Sequence, residues 1–389
     1  MTRPKFVRKD RERLAETSVS VASPPELPLE RGLAGPGLLA DTIVRRWQDH
    51  LPLYRLEQVY AREGLELARS TICGWHIELA ELIRALIDAM WQDALGSPYL
   101  CTDATGVLVQ TKEKCRVGHF WVLIAPERHV LYAYSAKHDK KAVDRMLAGY
   151  RGYLVADAHA VYDHLYRGGD VIEVACWAHA RRYFFKALES EPDRAREALA
   201  LIGELFRIER QIAEAPTRKR EVVRQRESKP VVERFFAWCH DEATRALDET
   251  PLAKGIRYAL NQRAALERFL EDARLPAHNN GSENALRREV VGRKNWLFVG
   301  NDDAGEVNAA FVSLLASCQL HRIEPWSYLR DLFCLMPNWP RSRVLELAPV
   351  NWRQTLARPE VEQRLEANIY RRARLAPFAA SLAPADAAR

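Results

Sequence analysis

The sequence predicts an α/β protein built on a mixed five-stranded sheet, with a helical region before it and a helical insertion within it. Three observations carry that prediction. β-Branched and aromatic runs separated by turn residues begin at Pro98 and recur up to Cys176. Before Pro98 the apolar residues fall at helical spacing. Residues 187–275 are charged, helical in pattern and poor in strand formers.

Composition sets the frame. The chain has 389 residues, 48% hydrophobic and 28% charged, which suits two or three domains rather than one small core. Lys and Arg number 58 against 52 Asp and Glu, a net charge of +6 that allows a nucleic-acid partner without requiring one. The seven cysteines are scattered and never spaced C-x-x-C, so they read as reduced structural thiols. The charged start, MTRPKFVRKDRERLAE, lacks the apolar stretch of a signal peptide. No apolar run reaches the roughly 20 residues that span a bilayer, so a cytoplasmic protein without a membrane partner is expected.

Residues 1–37 pass from charged to Pro- and Gly-rich (SPPELPLERGLAGPG) and read as an extended, largely disordered arm. Residues 38–97 read as helical, with a break at Arg62-Glu63-Gly64. Beyond it Ser70-Thr71 is expected to cap a helix whose stripe is Ile72, Trp75, Leu79, Leu82, Ile83, Leu86, Ile87 and Met90. Two helices about a Gly-containing turn outline a helix-turn-helix, with Arg69, Ser70 and Thr71 as its candidate DNA contacts, although any helical bundle contains such pairs.

Residues 98–186 hold the strands. Segments 99–110, 119–125 and 129–135 form an expected antiparallel meander. A helix at 140–147, a strand at 152–157, a helix at 159–166, a strand at 171–176 and a helix from Ala178 follow. This is the order of a ribonuclease-H-like domain, part of which other α/β folds share. Residues 187–275, with the basic run Arg218-Lys219-Arg220, read as the helical insertion. Residues 276–337 complete the core, with a helix from Ser282, an interruption at 293–303 and a helix through Leu320. Residues 338–389 read as a partly disordered tail.

Two acids stand where that order would bring them together. Asp103 lies inside an apolar strand, where a charge is disfavoured unless paired or metal-bound. Asp157 ends the strand GYLVAD, from which a side chain reaches the mouth of a sheet. Each has a plain structural alternative: Asp157 can cap the next helix, and Asp103 can face solvent. A third acid is expected from a late helix. Glu283 opens one in HNNGSENALRREVVGRKNWLF, with Arg287 one turn on along its face, but spacing leaves Glu289, Asp302, Asp303 and Glu306 open. Three converging carboxylates would hold two hard divalent ions, Mg²⁺ or Mn²⁺, for phosphoryl transfer on DNA.

Long stretches carry a family resemblance: GPGLLADTIVRRWQDHLPLYRLEQVYAREGLELARSTICGW, CWAHARRYFF, and NNGSENALRREVVGRKNWLFVGNDDAGEVNAAFVSLLASCQL. From about Gly35 to Pro337 the chain resembles the transposases of the insertion-sequence 66 family, bacterial DDE enzymes. The resemblance implies a ribonuclease-H-like core in which Asp103, Asp157 and Glu283 are catalytic and bind two metal ions. The local pattern departs in places: Ala104 stands where Glu is usual, Ala158-His159 where Gly-Tyr is usual, and Asn284 where Arg is common. Fuller members carry a coiled coil and a Cys-rich zinc-binding stretch before GPGLLA, whereas PKFVRKDRERLAETS has no cysteine.

The implied activity is strand cleavage at the ends of an insertion sequence and transfer of the freed 3′-OH into target DNA. Double-stranded DNA is the implied partner, with homo-oligomers forming on it, small accessory proteins, and nucleoid association when bound. Rivals are a nuclease that cuts without joining, and an inactive copy that only binds. Further candidate DNA contacts are His179, Arg181, Arg182, Arg287, Arg293, Lys294 and Trp296. The bland alternatives are a solvated helix face for the arginines and a core position for Trp296.

Overall fold

The computed structural model describes residues 5–7, 19–21, 27–29, 32 and 34–372. At its centre is β1 (Tyr99–Val109), rich in the Val and Thr that suit a pleated, half-buried surface. β2 (Arg116–Ala125) returns antiparallel with Val122 opposite Asp103, and β3 (His129–Ser135) continues the meander with Tyr132 opposite Val122. Along the other edge of β1 lie β4 (Gly152–Val155) and then β5 (Val171–Val174), both parallel. The order is β3-β2-β1-β4-β5.

The sheet has six strands, not the five expected. β6 (Phe298–Val299) pairs in parallel with Leu108 and Val109, on the edge of β1 that β4 leaves free. Two residues are too few to show an alternating pattern, so nothing in the sequence marks β6 as a strand.

The amino-terminal region comprises α1 (Pro36–Ile43), a π-helical turn (Val44–Gln48), α2 (Leu53–Arg62) and α3 (Arg69–Leu95). Gly64 turns the chain between α2 and α3 at φ +81°. The expected stripe on α3 is the buried one, but Ser70 and Thr71 do not cap it. Ala68 is the N-cap residue and makes no side-chain bond. Leu67 instead packs with Ile72, Leu56 and Tyr60, a hydrophobic staple that fixes the entry of α3 and leaves Arg69, Ser70 and Thr71 exposed in its first turn.

Three helices follow the meander: α4 (Lys140–Met146), α5 (Asp163–Tyr166) and α6 (Trp177–Lys186). Residues 187–275 form helices joined by short turns, among them α7 (Pro192–Gln211), α8 (Thr217–Val223), α9 (Lys229–Ala243), α10 (Pro251–Asn261) and α11 (Arg263–Glu267). Then come α12 (Asn280–Trp296), α13 (Asp302–Leu320) and α14 (Pro325–Leu335). The interruption expected at 293–303 falls at 297–301, because α12 runs on through Trp296 before the chain breaks.

The sheet separates two cores. Leu100 and Leu154 join the larger, which takes in α1, α3, α13 and α14. Cys101 and Val155 face the other, built with Trp177, Phe184, Phe235 and Phe269 from α6 and the helical segment. Part of the expected tail is ordered: α15 (Trp352–Leu356), α16 (Pro359–Ala367) and α17 (Ile369–Arg372) form, and Trp352, Val361 and Leu365 are buried in the larger core. Within the expected arm, Lys5–Val7 pairs antiparallel with Val19–Val21. Leu29 and Ala34 of the arm and Val344 and Leu347 of the tail are also buried in the larger core, and only the remaining residues of 1–33 and residues 373–389 lie outside the described ones.

Candidate active site

The parallel register places two carboxylates side by side. Cys101 is opposite Val155, so Asp157, two residues past β4, is carried level with Asp103 on β1. Asp157 does not cap α5, whose N-cap residue is Tyr162. The loop that carries it is fixed by rings: Tyr162 is buried, Val161 N–H donates to His159 Nδ1 at 3.2 Å, and His159 meets His138 edge-on at 4.6 Å. His138 in turn stacks on Trp121 at 4.6 Å with 14° between the planes.

Glu283 stands in the first turn of α12, and its placement is set by Asn279 just before that helix. The Asn279 backbone N–H donates to Cys176 Sγ at 3.1 Å, and its side-chain Nδ2 donates to the carbonyl of Thr102 at 2.8 Å. One buried asparagine therefore ties the start of α12 both to Cys176, the N-cap residue of α6, and to the residue preceding Asp103. This role was not read from the sequence; the signal was an Asn pair directly before a helix start.

Asp103 feels the charges of the other two acids. Burial pushes Asp103 up to about 6, and the charges of Asp157 and Glu283 push the same way. The Ala104 N–H, 2.7 Å from Asp103 Oδ1, and the more distant Arg182 oppose that shift. Glu283 Oε1 lies 3.0 Å from Arg182 Nη2 and 3.9 Å from His179 Nε2, both on α6. Burial, with Arg182 beside it, pushes His179 down, against the pull of Asp157 and Glu283. Among the described residues no three His, Cys, Asp or Glu side chains are drawn together closely enough to hold a metal ion as they stand. The donor set nevertheless fits a hard cation: oxygen ligands only, with a mutual repulsion that a dication would relieve.

The other acids considered are engaged elsewhere. Glu289 is buried on another face of α12, accepts from Asn308 Nδ2 at 3.3 Å, and is pushed up to about 7, chiefly by burial. Asp302 pairs with Arg116 and accepts the Tyr134 hydroxyl. Asp303 and Glu306 are exposed on α13.

Among the candidate DNA contacts, Arg181, Arg182, Arg287 and Lys294 are exposed. Arg287 and Lys294 lie within roughly 40° and 20° of Glu283 around α12, so the three form one stripe. Arg293 and Trp296 correct the expectation by turning inward. Arg293 Nη1 donates to Thr105 Oγ1 at 3.0 Å and to the Gly106 carbonyl, tying α12 to β1. Trp296 packs against the larger core under the Arg46 guanidinium, 5.4 Å from the ring centre.

Residues 31–307 match the protein family described as "Transposase IS66 family". The chain belongs to the IS66 transposase family. Membership carries with it DNA transposition as the process and DNA as the class of partner. The chain is also similar to uncharacterized protein y4qI of Sinorhizobium fredii, at 30% identity over 370 residues, covering 90% of this chain and 68% of that protein. Uncharacterized protein y4hP of the same organism is 29% identical over 388 residues, covering 91% and 68%. No helix among the described residues is long and apolar enough to cross a membrane.

Proposed function

We propose that this IS66-family protein is a metal-dependent DNA strand transferase with a ribonuclease-H-like core, acting through Asp103, Asp157 and Glu283. The observation that carries the reading is the parallel register of β1 and β4, which brings Asp157 level with Asp103 at the centre of the sheet. The strand order, three antiparallel strands followed by two parallel ones, supports the fold assignment. The helical segment 187–275 is then an insertion into a core formed by 98–186 and 276–337, and α2 with α3 is a helix-turn-helix.

Asp103, Asp157 and Glu283 would hold two Mg²⁺ or Mn²⁺ ions, which supply activation of the attacking oxygen and stabilisation of the leaving 3′ oxygen. The chain's own contribution is positioning. Asn279 and the ring stack on Trp121 hold Glu283 and Asp157 in place, as phosphoryl transfer demands. Arg287 and Lys294 extend a cationic stripe along α12 toward the DNA backbone. The exposed start of α3 meets double-stranded DNA away from the reacting phosphate. The reaction is cleavage at the element's ends, followed by attack of the freed 3′-OH on target DNA, in a homo-oligomer on DNA with small accessory proteins.

The test is strand transfer of labelled element ends in Mg²⁺ or Mn²⁺. Asp103→Asn, Asp157→Asn and Glu283→Gln are each expected to bind DNA yet neither cut nor join. Cleavage without joining by the unaltered protein makes it a nuclease, and cleavage retained by any variant removes that residue from the triad.

A further inference from the structure

Glu283 is close enough to Asp103 to be felt by it, yet it is held by two side chains of α6. His179 and Arg182 stand three residues apart, which puts them on one face of that helix, and both approach the same oxygen, Glu283 Oε1. Arg182 is the nearer of the two, at 3.0 Å, and its guanidinium brings a fixed positive charge. A guanidinium beside these acids offsets part of the repulsion that Asp103 feels, as a dication would. It cannot ligate them all, because its donors form a planar fork on a tethered side chain.

We infer that Arg182 is a built-in stand-in for the metal. It latches Glu283 while the site lacks a divalent ion, is displaced when one arrives, and then binds a phosphate of the DNA. The inference rests on the reading of Asp103, Asp157 and Glu283 as ligands. Two further features fit it. The Arg182 side chain is 55% exposed, so it can leave Glu283 for a ligand in solution without unpacking the core. An ion pair this exposed is weak, so a divalent ion can outcompete it. Its neighbour Arg181 lies over Phe185 instead, 5.7 Å from the ring centre, and takes no part in the pair.

The experiment is a Mn²⁺ titration of the full chain without DNA, followed by the electron paramagnetic resonance of free Mn²⁺. Arg182→Ala is expected to bind Mn²⁺ roughly two- to fivefold more tightly than the unaltered protein, the gain from removing a weak competing pair. Arg182→Lys, which keeps the charge, should stay near the unaltered affinity. Glu283→Gln should bind more weakly than the unaltered protein.

DNA binding supplies a second readout. In Ca²⁺, Arg182→Ala should lower the salt dependence by about one phosphate contact, a change of roughly 0.9 in the log–log slope, and in chelator the slope should not change. If Glu283→Gln weakens Mn²⁺ binding but Arg182→Ala does not tighten it, the latch is overturned and the triad stands. If Glu283→Gln leaves Mn²⁺ binding unchanged, the ligand assignment beneath the latch fails, and the latch with it. An equal loss of slope with and without the metal overturns the handover to DNA.

Discussion

Asp103 and Glu289 are both acids pushed up in pKa, and their surroundings give them opposite meanings. Asp103 sits among other acids, so its ionised form is opposed by burial and by like charge together. A carboxyl whose folded pKa of about 6 exceeds its unfolded value of about 3.9 favours the fold while protonated. That contribution is complete below about pH 4 and is lost as the pH rises through 6. Asp103→Asn should therefore stabilise the metal-free protein by about 1–2 kcal/mol at pH 7.5, with the difference gone by pH 4. Urea unfolding in chelator at the two pH values measures it; a destabilised variant at pH 7.5 would mean that Asp103 is held by a partner rather than strained.

Glu289 has an amide and cations around it instead. Its folded value of about 7 likewise exceeds the unfolded one, so stability should fall between about pH 4.5 and 7, and Glu289→Gln should remove that slope. Glu289→Gln should also keep joining activity within about threefold, whereas Glu283→Gln should abolish it. The reverse pattern would exchange their roles.

α12 shows how much of the site an element can hide. Asn279 at its start satisfies a backbone carbonyl of β1 and donates to a thiol after β5, so Asn279→Ala should leave a buried acceptor bare. The expected cost is about 1–3 kcal/mol of stability. Joining should fall more steeply than stability accounts for, since Glu283 loses its fixed origin. Thermal unfolding beside strand transfer separates the two; a loss of activity that only tracks unfolding would make Asn279 structural.

The same helix marks where sequence reading runs out. The long stripe of α3 and the β1–β3 meander were legible because period and length repeat the signal. Asp103 and Asp157 were legible because a strand and a strand end are unusual places for a charge. Glu283, the proposed third acid, was not separable from Glu289 by spacing, since only packing decides which face of α12 turns inward. Arg293 and Trp296 look like a cationic, aromatic DNA contact in sequence, and become packing once Thr105 and Arg46 are brought to them. The staple at Leu67 displaced the expected Ser70-Thr71 cap for the same reason: the deciding contacts come from α2.

At the scale of the whole molecule, the amino-terminal helices are built into the core rather than tethered to it. Trp47 stacks on Phe311 of α13 with ring centres 4.8 Å apart, and His76 of α3 bonds to Thr42 of α1 at 3.0 Å. Arg46 reaches Trp296 on α12, the helix that also carries Glu283. The start of α3, the proposed DNA contact, is thus rigidly placed relative to the candidate active site, although the two use different residues. Binding and metal loading should then be separable by mutation. Replacing Arg69, Ser70 and Thr71 together by Ala touches an exposed turn that makes no side-chain cap, so the fold should survive. Affinity for element ends should fall roughly tenfold, while the Mn²⁺ affinity of the DNA-free protein stays unchanged. Fluorescence anisotropy with labelled ends, set beside the Mn²⁺ titration, reads both quantities. Unchanged DNA affinity would move recognition off α3 and onto the core, and a change in Mn²⁺ affinity would show that the rigid connection transmits more than position.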